Sequence, residues 1–376
     1  MRILVLVHEF PPVGGGGGRV AEDICSKLAR RGHEVKVLTA HIKGLPYQED
    51  KNGFQTIRFG SLRRQPYRAS FLSMAVYVLA GLWAGRRLMG SFKPDLIHAH
   101  FAVPAGALAW MLSRLTGIPY VLTVHLGDVP GGVPEKTAEW FRWVYPFTPG
   151  IWRNASEIVA VSEFTRQLAL KRYKEKIQVV PNGVDLSTLM PDRISLNDPP
   201  RIVFAGRFME QKNPLQLVHT LNELKELKWH CVMIGDGPLM PDVKCAIEDY
   251  GLKDRFQLTG WLDPQDVLSW FDKSDILFMP SRSEGLPVVG VQALAKGLAI
   301  VASRVGGFVD LVEDDRNGYL IQESETAKFS ILLSSLLSDA HRLLLFRTAS
   351  LEKARSFELE QIVKEYENIF LRVKHD

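Results

Sequence analysis

Cysteine is scarce in this chain of 376 residues: Cys25, Cys231 and Cys245 are the whole complement. They show neither metal-ligand spacing nor an even framework for disulfides, so a reducing cytosol is expected. No Asp-x-Asp occurs, and a divalent cation held by paired carboxylates is not evident. The apolar run in MRILVLVHEF is too short for a signal peptide and reads as a buried strand. Acidic residues are missing from Lys51 to Lys93, where eight basic ones stand: Lys51, Arg58, Arg63, Arg64, Arg68, Arg86, Arg87 and Lys93. Inside that stretch Ala69 to Gly85 carries no charge. Its 17 residues lie at the lower edge for crossing a bilayer, and Ser70, Ser73, Gly81 and Gly85 weaken it further. A buried or interfacial helix is expected there rather than a span.

At 42.3 kDa the chain is long enough for two domains rather than one core. Its 46% hydrophobic and 23% charged residues are ordinary for a soluble globular protein. Residues 1–198 carry 25 Lys and Arg against 16 Asp and Glu, a charge of +9; residues 199–376 carry 21 against 26, a charge of −5. Short apolar runs alternate with helical patterns. In the first half they are Ile3–Val7, Val35–Thr39, Leu96–Ala99, Tyr120–Val124, Ile158–Val161 and Ile177–Val180. In the second half they are Ile202–Ala205, Cys231–Ile234, Phe256–Leu258, Ile276–Met279 and Ala299–Ala302. Continuous rather than alternating runs indicate parallel strands buried on both faces, joined through helices. The proline-rich, polar stretch from Met190 to Pro200 reads as a linker, giving two doubly wound α/β domains.

The stretch MPSRSEGLPVVGVQAL, residues 279–294, joins a strand end to a helix-like run. Pro287 suits a helix start, where its missing N–H costs nothing. Free backbone N–H groups at such a junction suit phosphate, and the Glu284 carboxylate suits sugar hydroxyls. Together they point to a nucleotide sugar. Arg207 and Lys212 follow the strand Ile202–Ala205. They read as cations for a diphosphate, or more blandly as a solvated loop. Gly14 to Gly18 follow the first strand. A dinucleotide fingerprint fits poorly, because Arg19 stands where its third glycine belongs and no acid ends the second strand. A phosphate or sugar loop and a flexible turn remain open. His125 ends another apolar run, as a strand-capping core histidine or, with Asp128 three residues on, as a functional one. His98 and His100 alternate along a strand, are expected on opposite faces, and read as structural.

These motifs together resemble the retaining GT-B glycosyltransferases of the family 4 type. The order is the glycine run at 14–18, KPDLIHAHF at 93–101, TVHLGD at 123–128, AVSEFTRQ at 160–167, VVPNGVD at 179–185, GRFMEQKN at 206–213, IGDGP at 234–238, and PSRSEGLPVVGVQALAKGLAIVAS at 280–303. SFELEQIVKEYENIF is similar to the family's last helix. The resemblance implies two Rossmann-like domains facing across a cleft. Residues 1–195 would bind the acceptor, with a helix at 357–375 packing back on them, and 196–356 the nucleotide-sugar donor. It implies that Gly16 and Gly17 approach the donor's phosphate or sugar and that Arg207 and Lys212 bind its diphosphate. His125 would contact the transferred sugar, and Glu284 would hold its hydroxyls beside the N–H groups of Gly285 and Leu286. Gln292 replaces the glutamate that usually binds the ribose; its amide can still accept from one hydroxyl and donate to another. The Gly260-Trp261-Leu262 loop would lie near the base. No metal, other cofactor or nucleic acid is implied.

The acceptor is expected to be a glycan or a lipid-linked molecule of cell-envelope or polysaccharide synthesis. Arg63, Arg64 and Arg68 are expected to face it, or an anionic membrane at the inner face of which the protein sits peripherally. Against that surface stands the need of any such helix to cover its sheet, which would consume its apolar residues and leave only arginines exposed. Two other functions share the scaffold. A nucleotide-sugar epimerase needs no acceptor surface, and a non-catalytic nucleotide-sugar-binding protein needs no intact catalytic set.

Overall fold

The structure is a computed structural model that describes residues 1–65, 69–133 and 144–375. The chain forms two compact units, residues 1–183 with 359–376, and residues 184–358. Each is built on one largely parallel sheet. The first contains β1 (Arg2–Leu6), β2 (Glu34–His41), β3 (Gln48–Lys51), β4 (Phe54–Gly60), β5 (Leu96–His100), β6 (Tyr120–Val124), β7 (Glu157–Ala160) and β8 (Ile177–Val179). Its order is β3-β4-β2-β1-β5-β6-β7-β8, with β3 antiparallel to β4 and every other pairing parallel. The second contains β9 (Arg201–Ala205), β10 (His230–Ile234), β11 (Phe256–Gly260), β12 (Ile276–Met279), β13 (Ala299–Ser303) and β14 (Gly318–Ile321), in the order β11-β10-β9-β12-β13-β14. β5, β6, β12 and β13 are buried at every position, which is why β12 is a continuous apolar run and β6 and β13 are apolar but for Thr123 and Ser303, while β5 carries the buried His98 and His100.

The strand order reverses beside β1 and β5 in the first unit and beside β9 and β12 in the second. At such switch points the connections leave in opposite directions and open a crevice at the carboxyl ends of the strands. The glycine run, Phe101, Arg207 and Glu284 all follow strands that flank these points.

The helix Phe71–Phe92 starts at Ser70, whose hydroxyl accepts from Ser73 N at 3.2 Å. It buries Ser73, Tyr77, Gly81, Gly85, Met89 and Phe92. Gly81 lets it approach the helix Ala107–Thr116 closely, since a Cβ there would lie 2.6 Å from Leu108 Cδ2. The small residues therefore face the core, and Phe71, Leu72, Leu79 and Trp83 are exposed. This reverses the expectation that covering the sheet consumes the large apolar side chains. Among the described residues no single helix is long and apolar enough to cross a membrane.

The last helix, Leu359–His375, belongs to the first unit. Ile362, Val363, Tyr366, Ile369, Phe370 and Val373 recur with helical period and are buried. Arg31 donates to Glu360 at 2.5 Å and to Glu367 at 2.6 Å. The proline-rich stretch read as a linker lies inside the second unit. Asn197 donates to Asp275 from its amide at 2.9 Å, and Arg347 donates to Ser195 O at 2.7 Å.

Candidate functional site

In the first unit, Gly16 to Gly18 form the first turn of the helix Gly16–Arg30 rather than a free loop. The opening N–H groups of a helix lack intrahelical acceptors, so this turn can hold an anionic or hydroxyl oxygen. Gly17 has no room for a side chain: a Cβ would lie 2.6 Å from Phe101 Cζ and 3.3 Å from His125 Cε1. The structure thus brings Gly17 and His125 together. His125 follows β6 and is buried, and its Nε2 has no hydrogen-bond partner among the described residues. Asp128 braces the backbone here. Its carboxylate accepts from His125 N at 2.8 Å and Ala102 N at 2.8 Å, tying the end of β6 to the segment after β5.

The expectation for His98 and His100 requires correction. Residues two apart on a strand share a face, and the two rings lie 4.3 Å apart between centroids. His98 pairs through Nε2 with Thr123 Oγ1 at 2.9 Å, and Thr123 Oγ1 lies 3.2 Å from Tyr366 Oη on the last helix. His100 stands 6.0 Å from His125, and neither of its ring nitrogens has a partner among the described residues.

Burial holds these imidazoles below their ordinary value: His98 at about 3, His8 and His125 at about 4, and His100 well below 6.5. Each stays neutral in the folded chain where the unfolded chain binds a proton. Their stabilisation is fully present above pH 6.5 and is lost as pH falls from 6.5 towards 4. Asp128, pushed up to about 7 by burial against opposing N–H donors from His125, Ala102 and Val103, works in the other direction. Four imidazoles outweigh one carboxyl. Melting temperature is expected to drop between pH 6.5 and pH 4.5, less steeply in His100→Leu. Thermal melts across that window check this, and equal slopes in both proteins would exclude His100 as a source.

In the second unit, β9 delivers the segment 206–213 and β12 the segment 280–286. Arg282 N donates to Gln211 O at 2.8 Å, and Gln211 Nε2 to Ser283 O at 3.0 Å, binding the two segments together. Glu284 is buried. Lys212 Nζ donates to both its carboxylate oxygens, at 2.6 and 2.8 Å, and Ser281 Oγ donates at 2.7 Å. A buried carboxylate is tolerable when paired and hydrogen-bonded in this way. Arg207 is half-buried after β9. Gly285 is half-buried and Leu286 buried ahead of the helix Val288–Ala295, which Pro287 caps and which carries half-buried Gln292. The sequence reading did not foresee that Lys212 and Glu284 pair with each other. It passed over Ser281, His8, Glu9 and Phe101, although Phe101 stands in a quoted motif.

Arg63 requires a second correction, since it is not on the surface. Its guanidinium is buried and donates to His8 O at 3.1 Å, Gln65 O at 3.1 Å and Glu9 Oε1 at 3.1 Å. Three acceptors in reach offset the desolvation of its charge. Arg64 is exposed, and Arg68 lies outside the described residues. Arg86 and Arg87 are exposed on the helix Phe71–Phe92, with the Arg87 guanidinium carbon 5.8 Å from the Trp83 ring centroid.

The chain is similar to known proteins. A family model described as Glycosyltransferase Family 4 matches residues 14–188, and one described as Glycosyl transferases group 1 matches residues 189–353. The chain is 25% identical to the N-acetyl-alpha-D-glucosaminyl L-malate synthase of Bacillus anthracis, over 100% of this chain and 98% of that protein. It is 29% identical to a UDP-Gal:alpha-D-GlcNAc-diphosphoundecaprenol alpha-1,3-galactosyltransferase of Escherichia coli, over 67% of this chain and 69% of that one. The solved sucrose-phosphate synthase of Thermosynechococcus elongatus matches with a TM-score of 0.87 over 99% of this chain and 98% of that one, at 20% identity, a likeness of fold.

Proposed function

Because the chain belongs to the glycosyltransferases of the family 4 type, we propose that it moves a sugar from a nucleotide-diphosphate sugar to an anionic glycan or lipid-linked acceptor, with retention and without a divalent metal. The Lys212–Glu284 pair, with Arg207 at the start of the same segment as Lys212, carries this reading. It offers cations for a departing diphosphate and a carboxylate for sugar hydroxyls at the carboxyl ends of two adjacent strands, β9 and β12. On donor binding, Lys212 and Arg207 take the diphosphate charge, and Glu284 accepts from the sugar. Gln292 holds the ribose, while neutral His125 and the Gly16–Gly17 turn meet the transferred sugar and its phosphate. The bond from the anomeric carbon to the diphosphate oxygen breaks as the acceptor oxygen bonds the same face. The departing oxygen takes the acceptor's proton, so no enzymic nucleophile is needed. The protein contributes position and electrostatics.

An anionic acceptor is supported by the exposed Lys51, Arg64, Arg86, Arg87 and Lys93 of the acid-free stretch 51–93 and by the two relatives, whose names carry malate and a lipid diphosphate. Leu72, Leu79 and Trp83 fall on one stripe of an exposed helix face, followed by Arg86 and Arg87. Such a stripe suits the inner face of a membrane, apolar side chains entering and arginines meeting phosphates. Incubation with UDP-, GDP- and ADP-hexoses, in the presence of anionic acceptors, tests the reaction. The expected result is transfer with the donor's anomeric configuration in the product; inversion would overturn retention, and stabilisation by no nucleotide sugar would overturn the donor. Co-sedimentation is expected with anionic vesicles and not neutral ones. It should weaken in high salt and in an Arg64, Arg86 and Arg87 triple alanine variant; equal binding to both vesicle types would exclude an anionic membrane as the partner.

A further inference from the structure

Phe101 joins the two functional elements of the first unit and adopts a backbone conformation unusual for its type. Its φ of 74° and ψ of 131° fall in a region open essentially to glycine. The backbone is pinned on both sides: Phe101 N donates to Thr123 O at 2.9 Å, and Phe101 O accepts from Gly106 N at 2.9 Å. A glycine would meet these constraints without strain, so the ring is what the strained position supplies. That ring stacks on His125, with centroids 4.3 Å apart and planes 25° apart. Its other neighbour is His8, edge-on at 5.3 Å. Its Cζ lies where a Cβ of Gly17 would have to go. It is half-buried, so it does not serve simply as core filling.

We infer that Phe101 is a positioning residue for sugar transfer: its ring fixes the plane of the His125 imidazole and the distance between that imidazole and the Gly16–Gly17 turn. The inference rests on the reading of His125 as the group that meets the transferred sugar. Asp128 holds the backbone of His125 through its carboxylate, the His125 side chain accepts in turn from the Asp128 backbone N–H, and the stacked face of Phe101 holds the ring against tilting about that bond. Strain is concentrated where the surrounding structure over-determines it, here between the ends of β5 and β6. Loss of the Phe101 ring leaves the imidazole tethered only through its bond from the Asp128 backbone N–H and free to tilt about it, and misplacement of a positioned group by about 1 Å costs on the order of 10²-fold in rate.

The test uses the full chain with Phe101→Ala, Phe101→Gly, His125→Asn and the Phe101→Ala/His125→Asn double variant. Three readouts are compared: melting temperature, turnover of whichever UDP-, GDP- or ADP-hexose the wild type consumes, and the NMR shifts of the His125 ring. Phe101→Gly is expected to melt above Phe101→Ala, the reverse of the usual order for these residues. Phe101→Ala is expected to lower kcat at least about tenfold with donor KM little changed, and to move the His125 ring resonances. In the double variant it is expected to add nothing beyond His125→Asn. Full kcat in Phe101→Ala, unmoved His125 resonances, or additive losses in the double variant would each overturn the positioning role. Wild-type turnover in His125→Asn would instead overturn the reading of His125 on which the role rests.

Discussion

Lys212→Met is expected to lose about 10²-fold or more in kcat and, at the same time, about 3 kcal/mol of stability. The two losses have different causes. In the free protein Lys212 Nζ holds both oxygens of buried Glu284, at 2.6 and 2.8 Å. Without it the carboxylate keeps Ser281 Oγ as a side-chain donor, and an uncompensated buried charge costs about 3–5 kcal/mol. Lys212 is partly exposed, which places the loss at the lower end. In the reaction the same ammonium meets the charge that gathers on the departing diphosphate, so its loss falls on kcat more than on donor affinity. The Lys212→Met/Glu284→Gln double variant separates them: stability returns and turnover does not. Arg207→Met is expected to match the kinetic loss and leave stability nearer the wild type, because Glu284 keeps its lysine. Glu284→Ala is expected to damage turnover far more than Gln292→Ala, and Gln292→Glu to keep activity, since an ionised acceptor still serves a ribose hydroxyl. Denaturant melts and initial rates for these variants, with and without EDTA, make the measurement. Recovery of activity in the double variant would refute the charge argument, and loss in EDTA restored by Mg²⁺ or Mn²⁺ would refute metal independence.

Arg347→Met is expected to cost the second unit about 3–5 kcal/mol, enough to consume much of the stability of an ordinary domain. Arg347 and Asp275 form an ion pair between side chains that are 4% and 0% exposed. Burial holds the Arg347 guanidinium below its ordinary value, and Asp275 opposes that shift. Arg347 also donates to Gly297 O at 2.6 Å and Ser195 O at 2.7 Å, while Asp275 accepts from Arg201 N and the Asn197 amide. The pair therefore fastens the start of β9 and the segment before it to the body of the unit. Removing the arginine strands a carboxylate in the core and releases Ser195. Urea melts followed by tryptophan fluorescence check the magnitude, and proteolysis around 190–200 checks the release. An Arg347→Met/Asp275→Leu double variant should recover most of the loss, because two apolar groups leave no charge behind. A loss below about 1 kcal/mol in the single variant would contradict the buried-pair account.

The burial of Arg63 and the pairing of Lys212 with Glu284 share a physical origin, contacts between residues distant in sequence. Strands such as Tyr120–Val124 and Ile276–Met279 are legible because burial on both faces makes nearly every position apolar, Thr123 excepted, a property written into neighbouring residues. β4 is not, since FQTIRFG alternates burial along its length. β3 is not, since QEDK has no apolar residue. The expectation of opposite faces for His98 and His100 fails on local geometry alone, since a two-residue step along a strand returns to the same face.

The chain's own order of motifs determined the family resemblance, two Rossmann-like halves and the strand ends where Arg207, Glu284 and His125 stand. Tertiary structure alone decided which of these meet. Lys212 and Glu284 are 72 residues apart, and they pair because β9 and β12 are neighbours in the sheet. Arg63 is buried because the end of β1, 55 residues earlier, offers it the His8 carbonyl; a count of basic residues cannot distinguish that from exposure. The outward face of the helix Phe71–Phe92 follows from how closely the helix Ala107–Thr116 approaches Gly81. The φ of Phe101 follows from hydrogen bonds on both sides of it. Burial, pairing and backbone strain depend on neighbours distant in sequence, and strand order supplies those neighbours.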